Sequence, residues 1–140
     1  MHKYIDRLKS EWQTHGKIII GVDFDSTISP YPTIDNAEDI ARCIKLLKRC
    51  KFIGAYLVVF TCCDTGRYED ILGFCKNNGL EIDAINRNPV PLPFGNDAKP
   101  YCNIYLDDRS GFVEAMDILQ EAANFISGEL NTKSTLNQIF

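Results

Sequence analysis

The run Lys17–Asp23 (KIIIGVD) constrains this chain more than any other stretch. It is β-branched and apolar on both faces, as a central strand of a parallel sheet must be. Further strands are expected over 54–60 (GAYLVVF), 82–85 and 103–106 (NIYL). Helical patterns fall between and around them. Residues 2–14 place Ile5, Leu8 and Trp12 at helical spacing. After the loop Ser29-Pro30-Tyr31-Pro32, Asp35 with Glu38 reads as a capping box for a helix whose apolar face is Ala37, Ile40, Ala41, Ile44 and Leu47. Asp64 or Thr65 is placed to cap a helix carrying Tyr68, Ile71, Leu72 and Cys75, closed by Gly79 at its C′ position. Ser110 caps a final helix that points Val113, Met116, Leu119 and Ile126 inward and ends near Gly128. Trp12, Phe52 and Phe60 are assigned to the core.

Strands and helices thus alternate at βαβ spacing, which predicts an α/β fold: a Rossmann-like, three-layer parallel sheet with helices on both faces. One domain is expected over residues 1–140, with an N-terminal helix in 1–16, the α/β core in 17–127 and a polar tail in 128–140. That length suffices to bury one sheet-based core without staples. Neither an internal repeat nor a low-complexity block interrupts it.

Composition removes several function classes. A net charge of -4 supplies no global positive field for nucleic acid or anionic membrane. No apolar run approaches a spanning helix, and the N-terminus lacks a secretory h-region, so the cytoplasm is the expected compartment. The six cysteines (Cys43, Cys50, Cys62, Cys63, Cys75 and Cys102) form no paired CxxC knuckles, and several sit where small hydrophobes belong. A disulfide framework or a zinc site is not expected.

The polar residues collect at the carboxyl ends of the expected strands, where open parallel sheets form their sites. Asp23 and Asp25 close the first strand, Thr61 the second, and Asp107 with Asp108 the fourth. With strand order 3-2-1-4, the first and fourth strands flank the switch point and their carboxylates face one crevice. Converging acids repel unless a hard divalent cation neutralises them, and Mg²⁺ suits a few carboxylate oxygens plus phosphate oxygens. Lys99, just before the fourth strand, offers a second positive charge. Carboxylates, a metal, a lysine and a threonine hydroxyl together suit phosphoryl transfer, in which positioning and charge neutralisation dominate.

These residues carry a resemblance. Asp23-Phe24-Asp25-Ser26-Thr27 after an apolar strand resembles the DxDx[TV] first motif of the haloacid dehalogenase (HAD) superfamily. Thr61 resembles its second motif, Lys99 the lysine of the third, and Asp107-Asp108 the acidic fourth. The resemblance implies that Asp23 attacks phosphorus to form an aspartyl-phosphate, while Asp25 protonates the leaving group and then activates water. It implies Mg²⁺ as cofactor, held by the Asp23 and Asp107 carboxylates and the Asp25 backbone carbonyl. Asp108 is either a ligand through water or a group that orients the ligands. Thr61 and Lys99 would bind the phosphoryl oxygens, with Lys99 also restraining the nucleophile.

Arg67 follows six residues after Thr61 and is either a binder of a second substrate anion or a solvated helix-start arginine. Cys62 and Cys63 lie beside the expected site. The two histidines, His2 and His15, are both N-terminal, so neither is placed to activate a thiol there. The intervals from Asp25 to Thr61 and from Ile85 to Lys99 are too short for the cap domain many HAD enzymes insert. An open crevice follows, either admitting bulky phosphoesters or covered by a neighbouring subunit or the N-terminal helix. The expected partner is a phosphorylated substrate of unread class, nucleic acid entering only as such a substrate, with oligomeric state open. The alternatives are a phosphoacceptor signalling domain and a non-catalytic binding module on the same fold.

Overall fold

The computed structural model describes residues 2–30, 34–62, 65–91 and 100–139, with side chains as far as residue 133. Four parallel strands form one sheet: β1 (Ile19–Asp23), β2 (Tyr56–Phe60), β3 (Ala84–Ile85) and β4 (Ile104–Leu106). Their order is β3-β2-β1-β4, the order under which the first and fourth strands flank the switch point, and the apolar run lies at the centre. Four α-helices are present among the described residues: α1 (Lys3–His15), α2 (Ala37–Phe52), α3 (Tyr68–Asn77) and α4 (Phe112–Ile139). A 3-10 turn, Thr65–Arg67, leads into α3. No described helix is long and apolar enough to cross a membrane.

Side chains complete the ladder where the strands stop. At the start of β1, Ile19 N–H donates to Asn103 Oδ1 at 2.7 Å, while Asn103 N–H donates to Ile19 O at 2.8 Å. Asp83 does the same before β3, its Oδ2 accepting Leu57 N–H at 2.8 Å while Lys51 Nζ donates to both carboxylate oxygens. A carboxylate or amide therefore takes the place of a strand carbonyl, and β3 and β4 begin later than their apolar patterns suggest.

The two faces of the sheet are dressed differently. Ile20, Val22, Leu57, Val59 and Leu106 lie in one buried cluster with residues of all four helices: Leu8 and Trp12, Cys43 and Leu47, Ile71 and Cys75, Met116 and Leu119. The opposite face holds a smaller cluster of Ile19, Val58, Ala84 and Cys102, flanked by Tyr56, Phe60 and Tyr105. No described helix contributes to it, so the expectation of helices on both faces is not met among the described residues. The reason lies in the connections. Crossovers of one hand that step in one direction across a sheet land on one face, which collects α2 and α3. The β3–β4 link, which would supply the second face, carries Pro89 and Pro91 and shows no helix in its described part. Instead the Phe60 and Tyr105 rings stack at 5.9 Å above Gly21, where a Cβ would press into Phe60 and the Cys102 sulfur.

Several helix details depart from the sequence pattern. Asn36, not Asp35, occupies the N-cap position of α2 and makes no side-chain cap bond; the Asp35–Glu38 capping box is not formed. The Asn36 amide is turned elsewhere, donating to Ser26 O at 2.6 Å. The buried face of α2 runs through Ile40, Cys43, Leu47 and Cys50, leaving Ala37 and Ala41 exposed. Phe52, at the last turn, is 91% exposed, and Leu72 and Val113 are also largely exposed rather than core. On α4 the adjacent Phe112 is buried instead of Val113.

The last helix does not end at Gly128. It continues to Ile139, through the stretch read as a polar tail. Contacts with α1 support the continuation: Gln13 Nε2 donates to Glu129 Oε1 at 2.7 Å, and Lys9 lies over the Phe125 ring at 4.9 Å. Tertiary packing thereby outweighs the modest helix penalty of one glycine.

Candidate functional site

β1 delivers Asp23 to the carboxyl edge of the sheet, and the chain then coils tightly. Phe24 O accepts the N–H groups of Thr27, Ile28 and Ser29, and Ser26 N–H donates to Ser29 O at 2.8 Å. Ser26 takes a positive φ of 65, a conformation ordinarily disfavoured for a residue with a Cβ. Two anchors hold the loop in place: Phe24 packs edge-on against Phe74 of α3 at 5.5 Å, and the Asn36 amide fixes Ser26 O.

Thr27 is fully buried and ties this loop to the end of β4. Its hydroxyl accepts Asp108 N–H at 3.0 Å and stands 3.2 Å from Asp108 Oδ1 and 3.4 Å from Asp23 Oδ2. One hydroxyl has one proton, so it donates to one carboxylate at a time. On the β4 side, Asp107 shapes its own turn. Its Oδ1 accepts Arg109 N–H at 2.9 Å and its carbonyl accepts Ser110 N–H at 3.0 Å.

The outcome is one group of carboxylates. Oxygens of Asp23, Asp107 and Asp108 all lie within 4.8 Å of one another, each half-buried. Burial pushes the Asp23 carboxyl up to about 7, reinforced by the Asp107 charge and by the hydrogen bond and charge of Asp108; the Thr27 hydroxyl pulls the other way. A cluster of oxygen donors with no cationic partner among the described residues fits a hard cation of the Mg²⁺ or Ca²⁺ type far better than a soft one. The Asp25 side chain is half-buried two residues along the loop and is not among the clustered carboxylates. Beside Asp108, a groove of about 410 Å³ opens between the starts of α2 and α4, lined in part by Asn36, Asp39, Arg109 and Phe112.

Thr61 follows directly on β2, whose Phe60 is in register with Asp23. It is gripped through its backbone by Asn86, whose Oδ1 accepts Thr61 N–H at 3.0 Å and whose Nδ2 donates to Thr61 O at 2.9 Å. Arg67 is exposed at the end of the 3-10 turn, and Cys62 is exposed next to Thr61. Lys99 and Cys63 lie outside the described residues.

Asp23, Asp107 and Asp108 are therefore brought together as the strand order requires, with Thr61 at the neighbouring strand end. Sequence reasoning gave no role to Thr27, Asn36 or Asn86. Thr27 was visible only as a letter of the motif. The asparagines carried one signal, their positions just before a helix and just after a strand, which ordinary turns share.

The fold and the site define a parallel-sheet α/β protein with an acidic centre at its switch point. Compared with known proteins, the chain matches no family model, no curated protein and no solved structure.

Proposed function

We propose that this chain is a HAD-like, magnesium-dependent phosphomonoester hydrolase. The observation that carries the reading is the convergence of Asp23, Asp107 and Asp108 from the ends of two adjacent central strands to within 4.8 Å, with Asp23 held near neutrality. A cluster of that kind is unstable as three free anions and becomes favourable once a cation and a phosphoryl group share it. Asp23 and Asp107, with the Asp25 carbonyl, would hold Mg²⁺, and Asp108 would act directly or through water. Bound there, the ion supplies charge neutralisation for the carboxylates and for the phosphoryl oxygens.

The residues of the chain then divide the chemistry. An oxygen of Asp23 forms a bond to phosphorus as the ester P–O bond breaks, and Asp25 gives its proton to the departing oxygen. Asp25, now ionised, takes a proton from water as that water attacks the aspartyl-phosphate, releasing Asp23 and inorganic phosphate. Thr61 and Lys99 steady the phosphoryl oxygens during both transfers. Thr27, donating to Asp23 or to Asp108, keeps the nucleophile and the acidic turn after β4 at a fixed separation.

Hydrolysis of p-nitrophenyl phosphate with and without Mg²⁺ tests the reading, comparing the native protein with Asp23→Asn. Magnesium-dependent turnover that this substitution abolishes is the expected result. If neither protein turns over, beryllofluoride separates the alternatives. Binding without turnover fits a phosphoacceptor domain or a hydrolase too selective for this ester, and no binding a non-catalytic module.

A further inference from the structure

We infer that Asn86 is a positioning residue for the phosphoryl-binding Thr61, acting as a stand-in for the strand residue that β3 lacks. This rests on the phosphohydrolase reading and deepens it. β3 is only two residues long and its last pairing is Val59 with Ile85. Thr61, two residues beyond Val59, therefore has no residue of β3 beside it. Asn86 turns the chain away with a positive φ of 55, while its own N–H still donates to Val59 O at 2.9 Å. Its side chain runs on along β2 and offers Thr61 an acceptor for its N–H and a donor for its carbonyl, at 3.0 and 2.9 Å. An amide side chain has the same donor and acceptor edges as a peptide group, so the ladder gains one further rung without further backbone.

The arrangement has one sense only. The second Nδ2 hydrogen meets the hydroxyl of Tyr68, the first residue of α3, at 3.0 Å. Reversing the amide would set its NH₂ against Thr61 N–H and its oxygen against Thr61 O. Asparagine also tolerates the left-handed conformation better than most side chains. Asn86 thus binds β2, β3 and the start of α3 at the point where a threonine must meet a phosphoryl group. It touches no reacting atom. Its contribution is to hold the Thr61 backbone in place at the end of β2, and displacements near 1 Å at such a position cost about a hundredfold in rate.

Asn86→Gly is the informative variant, because glycine accepts the same φ and keeps the N–H bond to Val59 while deleting the amide. With p-nitrophenyl phosphate and Mg²⁺, kcat is expected to fall about ten- to a hundredfold with KM nearly unchanged, the pattern of a contact that matters in the transition state. Backbone amide exchange at Thr61 should accelerate in parallel. Asn78→Gly serves as control: it removes another amide-to-backbone bond, Asn78 Nδ2 to Phe74 O at 2.9 Å, at the far end of α3, and is expected to leave kcat as it is. Asn86→Asp keeps the conformation and the acceptor but sets an oxygen against Thr61 O, and gives the same readout should glycine prevent folding. A kcat for Asn86→Gly within about twofold of the native value overturns the inference. Lack of both turnover and beryllofluoride binding in the native protein would overturn the phosphohydrolase reading and the positioning role with it. Failure of the clamp alone remains distinguishable, because exchange at Thr61 reads the clamp without any reaction.

Discussion

Thr27 and Asp23 show how much the site depends on single atoms. Thr27→Val preserves volume and deletes only the hydroxyl, leaving Asp108 N–H without its acceptor and two carboxylates without their shared donor. A loss of about 1–3 kcal/mol in urea unfolding is expected, together with reduced turnover. Asp23 makes a prediction of opposite character. Its carboxyl is held at about 7 in the fold against 3.8 for the free group, so the folded state binds its proton more tightly. Stability from this group is complete below the lower value and lost as pH rises through the upper one. The protein kept free of divalent cations should therefore melt at a lower temperature at pH 8 than at pH 5.5, and Asp23→Asn should flatten that difference. The carboxylates were legible in the sequence because each follows an apolar strand. The roles of Thr27, Asn36 and Asn86 were not, since they depend on which loop each side chain reaches across space.

Elements set the frame that these residues use. Gly21 lies on the face of β1 opposite the described helices, under the Phe60 and Tyr105 rings. Gly21→Ala should destabilise by about 1–3 kcal/mol in chemical denaturation, because a methyl group there forces the rings or Cys102 aside. Gly128 predicts the reverse. It lies inside α4 with nothing within 4 Å of an added Cβ, so Gly128→Ala should stabilise by up to about 1 kcal/mol. Had the helix stopped there in a left-handed cap, alanine would instead have been strained. The existence of each strand and helix could be read from apolar period and spacing. The rotational setting of the helices could not. Phe52, Leu72 and Val113 fit an apolar pattern, yet each sits where its helix turns to solvent. The position of Gly128 suggested an end, but packing of α4 on α1 decided otherwise.

Across the whole molecule, the sheet has two unlike ends. At the amino ends of the strands, charge is paired: Lys51 meets Asp83 at 2.7 Å. At the carboxyl ends, three acidic side chains crowd together, and the counter-charge is expected from a ligand. Mg²⁺ should therefore raise the melting temperature of the native protein. A concentration a hundredfold above Kd corresponds to about 2.7 kcal/mol, with a smaller effect in Asp107→Asn. The sequence carried this polarity because strand direction fixes which loops share an end. It did not carry the second face, which no helix covers among the described residues, because prolines disfavour a helix without specifying what packs in its place.

The pairing of α1 with α4 has a consequence for how the protein is made. β1, the central strand, emerges from the ribosome well before its β4 neighbour and the helix that packs on α1. Until β4 is released one edge of β1 stays open, and until α4 follows Leu8 and Trp12 lack the helix that shelters them. Folding on the ribosome is thus held back until α4 has emerged, and a nascent chain stalled before α4 would be the form most in need of a chaperone.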